Sequence, residues 1–384
     1  SDETVLGLFV PCLLSGAVAL GENAPELRTM EDRLAHRDFP SVFQAWNPAD
    51  NLPDEAAEVT LARHDLVFDS IYRLQLAWDQ KPEGLATRFA ADSLPRARKI
   101  RDEMQRPNPN QILLCEIRYR DAHTSFLPED SPWWKRDESG KRVIGWEEGG
   151  YYLLDFANPE FQDHVAKRAS AAMKAGFDGV MLDWWHEGDE RLALIRKIRQ
   201  AIGEEALILG NANDLLAPRS APYLNGFFME CWRSSTPEDW ARITETLRWA
   251  ESHLREPRIN CLETWFEDSR QDLAKMRATT TLVLTHSDGF CLFSDPNPLP
   301  TADHLHDWYP FWDVELGKPQ EVGQSVEDGT YQRKFENALV VHNPVGNSRA
   351  LIEFEEPRIR ASNREHGRKF HIDPSDGDFF LLAK

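Results

Sequence analysis

The stretch "GFDGVMLDWWHEGDE" (residues 176–190) sets an apolar run directly against Asp183, Trp184, Trp185, His186 and Glu187. The pattern recurs twice: "NGFFMECW" closes on Glu230 and Trp232, and "RINCLETW" on Glu263 and Trp265. In each, an acid ends a short apolar run and an indole follows one or two residues later. Apolar surroundings disfavour the charged form of a carboxyl and raise its pKa, whereas a polar neighbour keeps a second one ionised. Such a pair suits glycosidic bond cleavage, where a protonated acid releases the leaving oxygen and an ionised one attacks the sugar or activates water. Indole faces supply flat apolar area for the C–H face of a sugar ring. On this reading Asp183 is nucleophile or base and Glu230 the general acid. Glu263 is the third catalytic candidate, able to exchange roles with Glu230.

Further polar groups stand where they can contact a substrate. Asn211 and Asn213 in "ALILGNAN" fit sugar hydroxyls, although an Asn before a loop also serves as a turn residue. Glu116 is followed by Arg118 and Arg120, so an ion pair competes with a binding role. Trp134, Trp184, Trp185, His186, Trp232, Trp265 and Asp295 complete the candidate substrate-binding set. Asp183, His186, Glu187 and Asp189 also invite a metal reading, but Asp-x-x-His has no secure meaning outside a helix. No metal and no cofactor are therefore expected. His286, His304 and His306 read as loop or core histidines, with "TADHLHDWYPFWD" a source of further substrate contacts.

These residues need elements to bring them together. Apolar runs predict eight strands: 41–46, 64–70, 111–119, 179–185, 206–213, 225–232, 258–265 and 287–295. Amphipathic helices lie between them, one after each strand but the last. In one, Asn158 caps, Pro159 opens and Gly176 closes; in another, Ser235 and Glu238 have capping-box spacing. Eight βα units predict an α/β fold, a (β/α)₈ TIM barrel, with catalytic groups at the C-terminal strand ends. A doubly wound sheet is second, for want of a glycine-rich loop after the first strand. The insert 120–150 should lie over the barrel mouth. Beyond about residue 325 the pattern turns to antiparallel strands, a small C-terminal β-sandwich. The expected domains are an N-terminal segment packed on the barrel (1–40), the barrel (41–324) and the β-domain (325–384).

Composition limits the partners. The 384 residues carry a formal charge of −20 and a pI near 5.1, a surface that repels phosphate backbones and anionic lipid. Nucleic acid is not expected as a partner, and a highly anionic polymer would need a local basic patch. The five cysteines lack CxxC spacing, and four fall inside apolar strands, as buried thiols do. Residues 6–20 carry no charge, but Asp2 and Glu3 replace the basic start of a signal peptide, so the run reads as buried strand and loop. It is too short to span a bilayer. Oligomeric state is left open.

With these residues in view, the chain resembles the hypothetical glycosyl hydrolase families, TIM-barrel glycosidases with a C-terminal β-domain. The likeness lies in "WWKRDESGKRVIGW", "YYLLDFANPEFQDHV", "GFDGVMLDWW", "NGFFMECW", "WYPFWDVELGKP", "YQRKFENALVVHNP" and "DGDFFLLAK", spread over residues 110–384. It implies glycosidase chemistry at Asp183 and Glu230 on an oligo- or polysaccharide, and it slightly favours export. The alternatives are a non-catalytic carbohydrate-binding barrel and a polysaccharide lyase.

Overall fold

The computed structural model describes residues 28–265, 269–295 and 302–384. Eight parallel strands form one sheet in chain order: β1 (Phe43–Ala45), β2 (Leu66–Asp69), β3 (Ile112–Glu116), β4 (Gly179–Leu182), β5 (Leu207–Asn211), β6 (Gly226–Cys231), β7 (Cys261–Trp265) and β8 (Phe290–Ser294). The sheet closes on itself where the Cys291 N–H donates to the Ser41 carbonyl at 3.0 Å. This is the expected TIM barrel. Its strands are buried on both faces, which is why they read as near-continuous apolar runs.

Helices α2 (Ala57–Ala62), α3 (Ser93–Gln105), α4 (Pro159–Lys174), α5 (Asp189–Ile202), α6 (Pro237–His253) and α7 (Leu273–His286) surround it. The Asn158 side chain caps α4 by accepting from the Glu160 and Phe161 N–H groups. Two expectations need correction. The capping box of α6 is Thr236 with Asp239, one residue later than read, because Pro237 takes the first helical position and leaves Thr236 as cap. No helix follows β5: residues 212–225 form turns, with Pro218 and Pro222 denying the ladder its N–H donors.

A further helix, α1 (Met30–Ala35), precedes the barrel. Its Arg33 meets Asp178, below β4, through two 2.8 Å bonds. The apolar run 6–20 and Cys12 lie outside the described residues. The insert after β3 forms a ribbon in which Asp121–His123 pairs antiparallel with Tyr151–Leu153. It stands at the C-terminal end of the barrel, where the sequence placed it.

Past the barrel lie β9 (Gln324–Ser325), β10 (Tyr331–Lys334), β11 (Ala338–Asn343), β12 (Ala350–Arg360), β13 (His366–Ile372) and β14 (Asp376–Leu382). They make the expected antiparallel domain as one sheet ordered β9-β10-β11-β14-β12-β13. The sheet has apolar residues on both faces. Val340 and Phe379 join the main core, and Val341, Ile352, Phe370, Ile372 and Phe380 make a second, small one. Cys115, Cys231, Cys261 and Cys291 are buried free thiols. No described helix is long and apolar enough to cross a membrane.

Candidate active site

A cavity of about 530 Å³ opens at the C-terminal strand ends. Its floor is aromatic. Phe43, Phe68 and Phe228 fill the barrel interior, with ring centroids 4.9 Å apart for Phe68–Phe228 and 5.8 Å for Phe43–Phe228. Alternation along β6 then sends Glu230 to the same face as Phe228, one layer higher. Trp46, just past β1, packs edge-on against Phe68 at 4.9 Å and donates its indole N–H to Glu116 Oε2 at 2.7 Å.

Asn211, on the strand between their two strands, joins the two leading acids. Its Nδ2 donates to Asp183 Oδ1 at 2.8 Å and to Glu230 Oε1 at 3.1 Å. Asp183 Oδ1 also accepts the Trp184 N–H at 3.0 Å. Trp184 has φ 51°, a left-handed turn that carries its ring into the cavity and Trp185 back into the core. The Tyr119 hydroxyl holds that turn, lying 2.6 Å from the Asp183 carbonyl and 2.8 Å from that of Trp184.

Glu263 lies under the cavity rather than in it. Fully buried, it accepts from Ser294 Oγ at 2.7 Å and faces His304 Nδ1 at 2.8 Å. The other ring nitrogen, His304 Nε2, stands 3.8 Å from Glu230 Oε2. His304, a buried loop histidine as read from the sequence, is also a cavity wall wedged between two carboxylates.

The electrostatics follow from depth. Burial pushes the Glu230 carboxyl up to about 7, against the pull of His304. Burial likewise pushes Glu116 up to about 7, against Arg118. Asp183 is also raised by burial, while Asn211 and the Trp184 N–H favour its ionised form. Burial opposes charge on His304, yet Glu263 and Glu230 outweigh it and lift its pKa to about 10. Among the described residues Glu230, Glu263 and His304 alone bring three metal-ligand atoms within 4.8 Å. Protonated His304 is itself the cation of that group. The alternative metal set does not converge, since Glu187 accepts from the Arg219 and Ser220 N–H groups and Asp189 pairs with Arg219 at 2.8 Å.

Of the residues singled out in the sequence, Glu116, Asp183, Trp184, Asn211, Asn213, Glu230 and Trp232 line the cavity. Others are placed elsewhere. Trp185 is a core residue whose N–H donates to Ser220 Oγ, and Trp134 is buried in the insert, donating to the Pro128 carbonyl. His186 is half-buried behind Asn213, Trp265 lies outside the lining, and Asp295 sits 3.8 Å from Arg270. Sequence reasoning passed over Trp46, Asn47, Asp121, Trp146 and Tyr151, which also line it, and named Arg118 only as an ion-pair partner of Glu116. Trp46 carried the usable signal, an indole at the end of the first predicted strand.

Residues 185–339 match the model of hypothetical glycosyl hydrolase family 15. No curated protein matches in sequence. Among solved structures, an alpha-amylase from Lactobacillus plantarum superposes with a TM-score of 0.55 at 10% identity, over 92% of this chain and 100% of that one. The cyclic alpha-maltosyl-(1→6)-maltose hydrolase of Arthrobacter globiformis gives 0.53 at 12% identity, over 92% and 99%. The maltogenic alpha-amylase AmyB of Thermotoga neapolitana gives 0.52 at 9%, over 89% and 99%. At such identities these likenesses carry the fold. The resemblance read from the sequence agrees with the family match, which covers residues 185–339 and is a likeness to glycosyl hydrolases.

Proposed function

We propose that the chain cleaves glycosidic bonds of an oligo- or polysaccharide with retention of anomeric configuration, Asp183 acting as nucleophile and Glu230 as acid and base. One observation carries this reading: Asp183 and Glu230 share a single donor, Asn211 Nδ2, at 2.8 and 3.1 Å. Their bonded oxygens can therefore be no farther apart than those lengths laid end to end, about 5.9 Å. Retaining enzymes hold their carboxyls about 5–5.5 Å apart and inverting ones about 6.5–9.5 Å. The bound for the oxygens on Asn211 falls below the inverting range, which supports retention.

In the first step protonated Glu230 gives its proton to the leaving glycosidic oxygen while Asp183 bonds to the anomeric carbon. In the second, Glu230 takes a proton from water, whose oxygen displaces Asp183 and frees the sugar. The raised Glu230 pKa suits this double duty near neutral pH. Trp46, Trp184 and Trp232 supply ring-stacking walls.

The test is a glycan panel with reducing-end detection, followed by NMR of the first-formed anomer. The names of the similar solved structures put α-glucans on that panel. The product should keep the substrate's configuration, and Asp183→Asn and Glu230→Gln should each lower kcat by about 10²–10⁴. An inverted product, or full activity in either variant, overturns the assignment.

A further inference from the structure

A second cavity, of about 500 Å³, lies beside the first and shares Glu116, Arg118 and Tyr151 with it. Its other wall comes from the loop after β2 and from Arg168 on α4. Arg168 is only 6% exposed. Its Nη1 donates to the carbonyls of Glu83 at 2.8 Å and Ala86 at 2.7 Å. Its guanidinium lies 3.9 Å from the Trp78 ring centroid, and Trp78 in turn stacks on Phe89 at 4.2 Å. Two carbonyls and an indole thus hold the group rigid.

What remains free is its outer edge. Nε and Nη2 have no hydrogen-bond partner and are not sealed from the cavity. Among the described residues no carboxylate comes within ion-pair distance of Arg168. Its neighbours are matched: Lys81 pairs with Glu83 at 3.1 Å, and Arg118 with Asp121 at 3.3 Å. A guanidinium withdrawn from water without a counter-ion is costly to keep, unless a ligand brings the charge. Nε and Nη2 form the planar fork that matches a carboxylate bidentately. Glu83 and Glu116 on the same walls disfavour a dianion such as phosphate.

We propose that this chamber binds a carboxylate-bearing sugar, a uronic acid unit of the glycan, with its carboxylate on the Nε–Nη2 edge of Arg168. Ser70, Tyr72 and Ser125 offer hydroxyls to the rest of the ring. The assignment rests on the first cavity being the cleavage site, since the two volumes adjoin and one glycan can occupy both. It also supplies one unmatched cation for an anionic sugar on this acidic protein.

The experiment is ligand-observed NMR on the full chain with D-glucuronate, D-glucose and acetate. Read in the Asp183→Asn background as well as the wild type, it measures binding without turnover. Glucuronate should bind at least about tenfold tighter than glucose or acetate, and Arg168→Met should abolish that preference. Arg168→Lys keeps a charge and a donor, guards against misfolding, and should also lose most of the preference, because one ammonium cannot hold the carbonyls and present a fork. Equal affinity for glucuronate and glucose, acetate binding as tight as glucuronate, or an undiminished preference in both variants would overturn the assignment. Glucuronate preference without cleavage of any panel glycan would uphold this site and sink the hydrolytic reading, so the two failures are distinct.

Discussion

Asn211 donates from one nitrogen to two acids that must differ in protonation, and His304, 3.8 Å from Glu230, pulls down the pKa that burial raises there. The pH profile should record this. A general acid must carry its proton, so activity falls as pH rises through the Glu230 pKa of about 7. A nucleophile must be ionised, so activity also falls on the acid side, at a pH above the ordinary Asp range because burial raises Asp183. Initial rates against pH should trace a bell. Glu116 also titrates near 7, and Glu116→Gln separates the two by leaving the alkaline limb where it was. His304→Gln removes a cation that lowers the Glu230 pKa, so the limb should move to higher pH. The same change leaves Glu263 buried without its counter-charge, so circular dichroism must first show the variant folded. A limb unmoved in folded His304→Gln would mean that His304 only fills space.

At the scale of elements, the end of the barrel away from the cavity is pinned by Asp178. Its carboxylate takes Arg33, Arg101 and the Leu113 N–H, each at 2.8 Å, and so ties α1, α3 and β3 to the chain entering β4. Asp178→Ala leaves two buried guanidiniums unmatched and should cost about 3–5 kcal/mol, read from thermal melts. Burial alone would raise the Asp178 pKa, but Arg101 and Arg33 hold it below the usual range. The stabilisation is therefore complete above the unfolded-state value, about 3.9, and is lost as pH falls through the lower folded value. Wild-type melting should drop more steeply in acid than the variant's. Apolar runs made all eight strands legible, because a parallel strand covered on both faces has no alternation to disguise it. The turns after β5 were not, since their prolines sit in an otherwise helical composition. Asp183, Asn211 and Glu230 were legible because strand ends in a barrel converge. His304 was not, because its meaning depends on Glu263, 41 positions earlier in the chain. Trp184 and Trp185 looked equivalent until a left-handed turn sent one to the cavity and the other to the core.

For the whole molecule, α7 decides whether barrel and β-domain are one unit. It is buried from Ala278 through Thr285, with β7 and β8 on one side and the C-terminal sheet on the other. A helix covered on both sides needs small residues that satisfy their own polar groups. Thr279, Thr280, Thr281 and Thr285 do so by donating to carbonyls four residues back, at 2.7–2.9 Å. Trp312, on the segment that leads from His304 to the sheet, donates its N–H to Thr280 Oγ1 at 2.9 Å. The sheet approaches so closely that a Cβ on Gly377 would lie 2.0 Å from Thr281 Oγ1. Gly377→Val should thus cost about 1–3 kcal/mol of overpacking. If helix and sheet form one cooperative unit, calorimetry should show one transition in wild type and variant alike, with the variant's midpoint lower. Turnover well below that midpoint should be unchanged, since Gly377 is remote from the cavity lining. A variant whose barrel melts at the wild-type temperature while the sheet melts alone would make the β-domain an appendage, and α7 would then owe its burial to the barrel.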